Sequence, residues 1–145
     1  MSDPADRAAQ FLIWRGPAVF YALVIIFMSS LPGSEIPEMP FRFGDKLVHA
    51  LEFGLFGMFL YRAFRFPNPF PHPFRMTLAL GIIFAASDEI HQLFVPGRFC
   101  SVADFLFDCI GFTILAAVAA KIHPAPPAGE TRNTMNSIPS PGGKR

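Results

Sequence analysis

Four runs of apolar residues, each near the roughly 20 needed to cross a bilayer, leave this chain few ways to fold. They lie at about residues 11–31, 46–64, 75–95 and 102–122. The first has FYALVIIFM at its centre, with Trp14 and Arg15 placed like an interfacial and a snorkelling anchor. A soluble bundle keeps one face of each helix polar, yet LALGIIFAA in the third run and CIGFTILAAVAA in the fourth are apolar all round. Composition agrees. Of the 145 residues 52% are hydrophobic and 16% charged, against about 25% charged in a soluble domain. The expected fold is all-α, a four-transmembrane-helix bundle in one domain.

Proline and glycine mark the joints. LPGSEIPEMP ends the first run, alternating prolines make FPNPFPHPF a non-helical spacer, and PGR is a tight turn between the third and fourth. Residues 1–10 form a short N-terminal tail, 11–122 the membrane domain, and 123–145, with PAPPAG and NSIPSPGGKR, a disordered C-terminal tail. MSDPADRAAQ carries two aspartates and little positive charge, so the first run is expected to stay as an anchor and not to be cleaved as a signal.

Basic residues set the orientation. Arg7, Arg15, Arg62, Arg65, Arg75, Lys121, Arg132, Lys144 and Arg145 fall on one side of such a bundle, and Arg42, Lys46 and Arg98 on the other. Both termini are therefore expected in the cytoplasm, with a short outer loop between the third and fourth helices. A net charge of +1 points to no nucleic-acid partner, and Cys100 and Cys109 are read as free thiols.

The polar residues inside the runs cluster. DKLVHALE puts Asp45, His49 and Glu52 on one face of the second helix. SDEIHQLFVPGR puts Asp88, His91 and Gln92 on one face of the third, with Glu89 at its flank. VADFLFDCIG aligns Asp104, Asp108 and Gly111 on the fourth. In the inferred topology all three sets reach the outer leaflet. A charge at a helix centre costs about 2.5–3.5 kcal/mol on insertion scales, so these groups are expected to face each other or trapped water. Lys46 and Arg98 are the expected counter-ions. Plainer roles stand beside this: Asp45 and Asp104 as N-caps, His49 and His91 as interhelical hydrogen-bond partners, and Gly54, Gly57, Gly81 and Ala85 as close-packing positions.

Together, DKLVHALEF, SDEIHQLFVPGR and ADFLFDCIG resemble the VanZ-like family of bacterial membrane proteins, over roughly Leu31 to Leu115. The family pattern falls on Asp45, Lys46 and His49, on Asp88, Glu89, His91, Gln92, Pro96, Gly97 and Arg98, and on Asp104 and Gly111. Asp108 departs from it, standing where the family usually has Asn, and its added charge favours a metal ion or a proton there. The resemblance implies a multi-pass protein of the bacterial cytoplasmic (inner) membrane. Through the family's founding member it also implies a link to resistance to the glycopeptide antibiotic teicoplanin.

The function expected is a cell-envelope site at the outer leaflet that binds or acts on a membrane lipid or lipid-linked envelope precursor. Asp88, Glu89, His91 and His49 are the candidate catalytic residues, a histidine as base and an acid as proton donor. Asp45, Lys46, Gln92, Arg98, Asp104 and Asp108 are candidate binding residues, with Arg98 suited to phosphate. The alternative is a non-catalytic binding or scaffold protein using the same cluster. A divalent metal on His49, His91 and nearby carboxylates is a further reading. Their spacing follows no known zinc signature, so no residue is assigned as a metal ligand, and cofactor and oligomeric state stay open.

Overall fold

The computed structural model describes residues 3–36, 43–67 and 69–124. Arg42 and the tail beyond Pro124, with Arg132, Lys144 and Arg145, lie outside the described residues. Within them the chain is all-helical: α1 (Pro4–Trp14), α2 (Gly16–Ser29), a single 3-10 turn (Gly33–Glu35), α3 (Gly44–Arg65), α4 (Pro73–Gln92) and α5 (Val102–Ile122).

The first apolar run departs from expectation. It is not one helix over 11–31 but two, bent by 49° at Arg15. Pro17 explains the break: it has no N–H for the carbonyl of Ile13 four residues back. Arg62 of α3 supplies the missing donor, its Nη1 lying 2.9 Å from the Ile13 oxygen, while its guanidinium stacks 4.7 Å over Trp14. The helix also begins earlier than its hydropathy, because Asp3 caps the Ala5 N–H and Pro4 opens the first turn. Pro73 likewise opens α4, so the last two residues of FPNPFPHPF are helical after all.

Helices α3 and α5 are long and apolar enough to cross a membrane, and the bent α1–α2 pair qualifies if it counts as one span. Helix α4 has the length, but Arg75, Asp88 and Glu89 sit within it.

Contacts at each end fix the directions of the chain. Lys46 meets Asp104 where α3 and α5 begin, and Tyr61 reaches the His123 carbonyl where they end, so the two run parallel. Ser29 meets Asp88 where α2 and α4 end, so those two run the opposite way. The result is an up-down-up-down bundle. Its most extensive contact is between α3 and α5.

Small residues make that contact close. A Cβ on Gly57 would lie 2.6 Å from the Phe112 carbonyl oxygen, and one on Gly54 would lie 2.9 Å from the Leu115 side chain. On Gly111 it would collide with the Ala50 backbone, and on Gly81 with the Phe112 ring. The freed space is filled by Phe53, Phe56, Phe84 and Phe112, with Phe56 and Phe84 ring centroids 4.8 Å apart. The exterior is hydrocarbon: Leu23, Phe27, Ile83, Ile110 and Ile114 are exposed, whereas Asp88, Glu89, Gln92 and Asp108 are buried. Polarity is inverted relative to a water-soluble bundle.

Candidate functional site

The end of α2, the start of α3, the end of α4 and the start of α5 meet at one end of the bundle and gather their polar side chains into one cluster, here called the chamber. At its centre is Asp108, whose side chain is fully buried. One turn on, Gly111 lets α5 touch the α3 backbone at Ala50. That approach brings His49 Nδ1 to 3.1 Å from Asp108 Oδ1. The close packing of the helices therefore sets the geometry of the chamber.

Helix α4 adds Glu89, which is 4% exposed. Its Oε2 accepts the Ser101 N–H at 2.6 Å. Ser101 in turn caps α5, its Oγ accepting the Asp104 N–H at 3.2 Å. The N-cap expected of Asp104 thus belongs to Ser101. Asp104 instead stands in the first turn and takes the Lys46 ammonium at 2.5 Å. Asp45 is not an N-cap either: it lies in the first turn of α3, exposed, 3.2 Å from the same ammonium. Among the described residues no lysine or arginine comes within 4.0 Å of Glu89 or Asp108.

On the α2 side, Asp88 accepts from Ser29 Oγ at 2.5 Å and from Gln92 Nε2 at 2.9 Å, and Gln92 also reaches Ser29 Oγ at 3.2 Å. This triad is buried, and none of its side-chain atoms is among the buried atoms without a partner. Glu52, half-buried, lies within electrostatic reach of His49, Asp88, Asp108 and Arg98, and so joins the two sides of the chamber.

Two residues fall elsewhere than their spacing suggests. Helix α4 turns Asp88 towards α2 and Glu89 towards α5, which rotates His91 out of the seam. It is exposed, with Nε2 3.0 Å from Ser30 Oγ. Arg98 is not an ion-pair partner within 4.0 Å; its Nη2 donates to the Met28 carbonyl at 3.3 Å, at the end of α2. Three buried side-chain atoms among the described residues lack a hydrogen-bond partner: Glu89 Oε1, Asp108 Oδ2 and Arg98 Nε. All three belong to this end of the molecule.

Ser29 and Ser101, which complete the chamber, carry little signal in the sequence. Ser29 reads as the polar end of an apolar run, and Ser101 as part of a turn. Cys100 lies in the exposed loop before α5, where desolvation and the nearby Glu89 carboxylate push its thiol up, away from the thiolate form. Both cysteines are free.

One ligand atom from each of His49, Glu89 and Asp108 lies within 4.8 Å of the other two. An imidazole beside two carboxylates has the chemistry to exchange a proton or to hold a divalent cation.

A family model described as VanZ/LLP1 matches residues 11–123, and the chain belongs to that family. The match thus extends beyond the motifs of α3, α4 and α5, from within α1 to the end of α5. No curated protein and no solved structure matches the chain.

Proposed function

We propose that this member of the VanZ/LLP1 family is a four-span protein of the bacterial cytoplasmic membrane, with both termini inside and the polar chamber at the outer leaflet. The four spans are the bent α1–α2 pair, α3, α4 and α5. Charge placement supports this orientation, because Arg62, Arg65, Arg75 and Lys121 lie at the end opposite the chamber.

The chamber binds, and has the groups to act on, the head group of a membrane lipid or lipid-linked envelope precursor. One observation carries this reading: Glu89 and Asp108 are buried beside His49 with a carboxylate oxygen each left unpaired. Buried orphan acceptors weaken a fold, and apolar side chains of similar size would serve packing better. Arg98, which makes no ion pair within 4.0 Å among the described residues, lies at the same end and suits an anionic head group. His49 hydrogen-bonded to Asp108 has the pattern of a base and its orienting carboxylate. The exposed His91 lacks such a partner, so the role of base falls to His49.

The test compares the lipids of cells lacking the gene with cells carrying the wild type, His49→Ala, Glu89→Gln or Asp108→Asn at equal protein levels. Lipid species that change with the wild type and revert in all three variants are expected. Teicoplanin susceptibility is the second readout, with protection following the same pattern. Variants that match the wild type in both readouts would sink the proposal. The non-catalytic alternative draws on the paired Asp88–Ser29–Gln92 triad, which looks built to hold and not to react. It predicts an unchanged lipid inventory with graded loss of binding.

A further inference from the structure

Burying two carboxylates together in a membrane protein requires something to balance them. Glu89 is 4% exposed and Asp108 0%, and they stand on different helices with a ligand atom of each within 4.8 Å of His49. Each has one oxygen committed, Glu89 Oε2 to the Ser101 N–H and Asp108 Oδ1 to the imidazole. The second oxygen of each, Oε1 and Oδ2, is buried and partnerless. Neither cation at this end balances them: the Lys46 ammonium is engaged by Asp104 and Asp45, and Arg98 donates to the Met28 carbonyl and makes no ion pair within 4.0 Å.

We infer that His49, Glu89 and Asp108 form a binding site for one divalent transition-metal ion, Zn2+ or Mn2+. Mixed imidazole and carboxylate donors suit such ions better than Mg2+ or Ca2+, which prefer an all-oxygen shell. The charges match, since two carboxylates and one dication sum to zero within a low-dielectric surround. The distances are close to what is needed. Ligand atoms about 2.0–2.2 Å from a metal stand roughly 3–3.5 Å from one another. The imidazole and Asp108 are already 3.1 Å apart, and Glu89 on its flexible stem has only to close the remaining gap. Three protein ligands leave coordination positions open, and a phosphate oxygen of a head group fits such a vacancy.

Asp108 is central to this arrangement. A bound ion and a free imidazole base are exclusive uses of His49, so metal uptake also decides between two chemistries of the chamber. The inference takes from the proposed function only the site's place in the membrane. Metal content and head-group binding are measured separately, and either can fail while the other stands.

The full-length chain is purified in detergent, stripped with chelator, exposed to Zn2+ or to Mn2+ alone, freed of excess ion and assayed by elemental analysis. About one ion per chain is expected, with a rise in thermal midpoint on binding. Asp108→Asn, Glu89→Gln and His49→Ala are each expected to drop uptake below about a tenth of an ion, whereas His91→Gln keeps it. A wild-type chain that takes up less than about a tenth of either ion overturns the inference, whatever the variants do. So does full uptake in Asp108→Asn. Metal bound at full stoichiometry with no head-group effect would instead leave the site standing and remove the lipid reading.

Discussion

The two ends of the bundle solve the same problem in opposite ways. At the end where α3 and α5 finish, the hydrogen bonds of long polar side chains among the described residues go to backbone carbonyls at helix ends or just beyond them. Arg62 serves Ile13, Arg65 serves Pro124 at 3.0 Å, and Tyr61 serves His123 at 2.7 Å. Aromatic rings then cover the cations, with Arg62 over Trp14 and Arg65 over Phe66. At the chamber end most of the bonds run between side chains, with Arg98 to the Met28 carbonyl and the Ser101 N–H to Glu89 among the exceptions, and acids outnumber the available cations. The buried orphan atoms found among the described residues all belong there. One end closes the fold, and the other spends some of its stability on exposing chemistry to itself.

The largest expected effect comes from the hinge between the two regimes. Gly111 lies between the packed phenylalanines and Asp108, and any side chain there strikes the Ala50 backbone. Gly111→Ala is expected to cost about 1–3 kcal/mol through overpacking and to part His49 from Asp108. Gly57→Ala meets Phe112 one turn beyond Gly54 and should cost stability with less effect on the chamber. Thermal melts in detergent, set beside the lipid readout, check both. If Gly57→Ala abolishes function as fully as Gly111→Ala at equal stability, the two ends are not separable.

Second comes the sign of the chamber's contribution. Glu89→Gln keeps an acceptor for the Ser101 N–H and removes the buried charge. With chelator present, its stability is expected to hold or to rise by about 1–2 kcal/mol while function is lost. A clear fall in thermal midpoint would mean that Glu89 is a structural member after all, and the contrast between the ends would fail.

Third, the Lys46–Asp104 pair sharpens the boundary, since both side chains are largely shielded, at 19% and 15% exposure. A double-mutant cycle with Lys46→Met and Asp104→Asn is expected to give a coupling of about 1 kcal/mol, weakening at high salt. A coupling near zero would place the pair in open solvent at the rim.

How far the site can be read from sequence follows from the same physics. Hydrocarbon makes every charge within an apolar run conspicuous, so Asp45, His49, Asp88, Glu89, Asp104 and Asp108 stand out and helical spacing groups them. Spacing does not say which way a helix is turned. Asp88, Glu89 and His91 are nearly equivalent candidates for one face until α2 and α5 are in place, and then Glu89 enters the chamber while His91 leaves it. Glu52 lies on the right face, yet its nearness to charges on α4 and α5 shows only when those helices are in place. Arg98 reads as a counter-ion because arginine near acids usually is one; the open carbonyl of Met28 is a competitor that sequence does not display. Hydropathy also misses the break at Arg15, since Pro17 is apolar and continues the run while removing a donor.

That break yields the smallest effect and the strictest test of the comparison. Arg62 belongs to the closed end, so its loss should stay there. Arg62→Ala leaves the Ile13 carbonyl without its donor and Trp14 without its stacked cation, at an expected cost of about 0.5–1 kcal/mol. Hydrogen exchange is the suitable measurement. Amides of α1 and of the first turn of α2 should exchange faster, while the Ser101 amide, held by Glu89 across the molecule, keeps its protection. Arg62→Lys restores one donor without the planar stack, so it should recover part of the protection in α1 and none is needed in the chamber. Faster exchange at Ser101 in Arg62→Ala would show the two ends to be coupled through α3, and the division of labour between them would have to be abandoned.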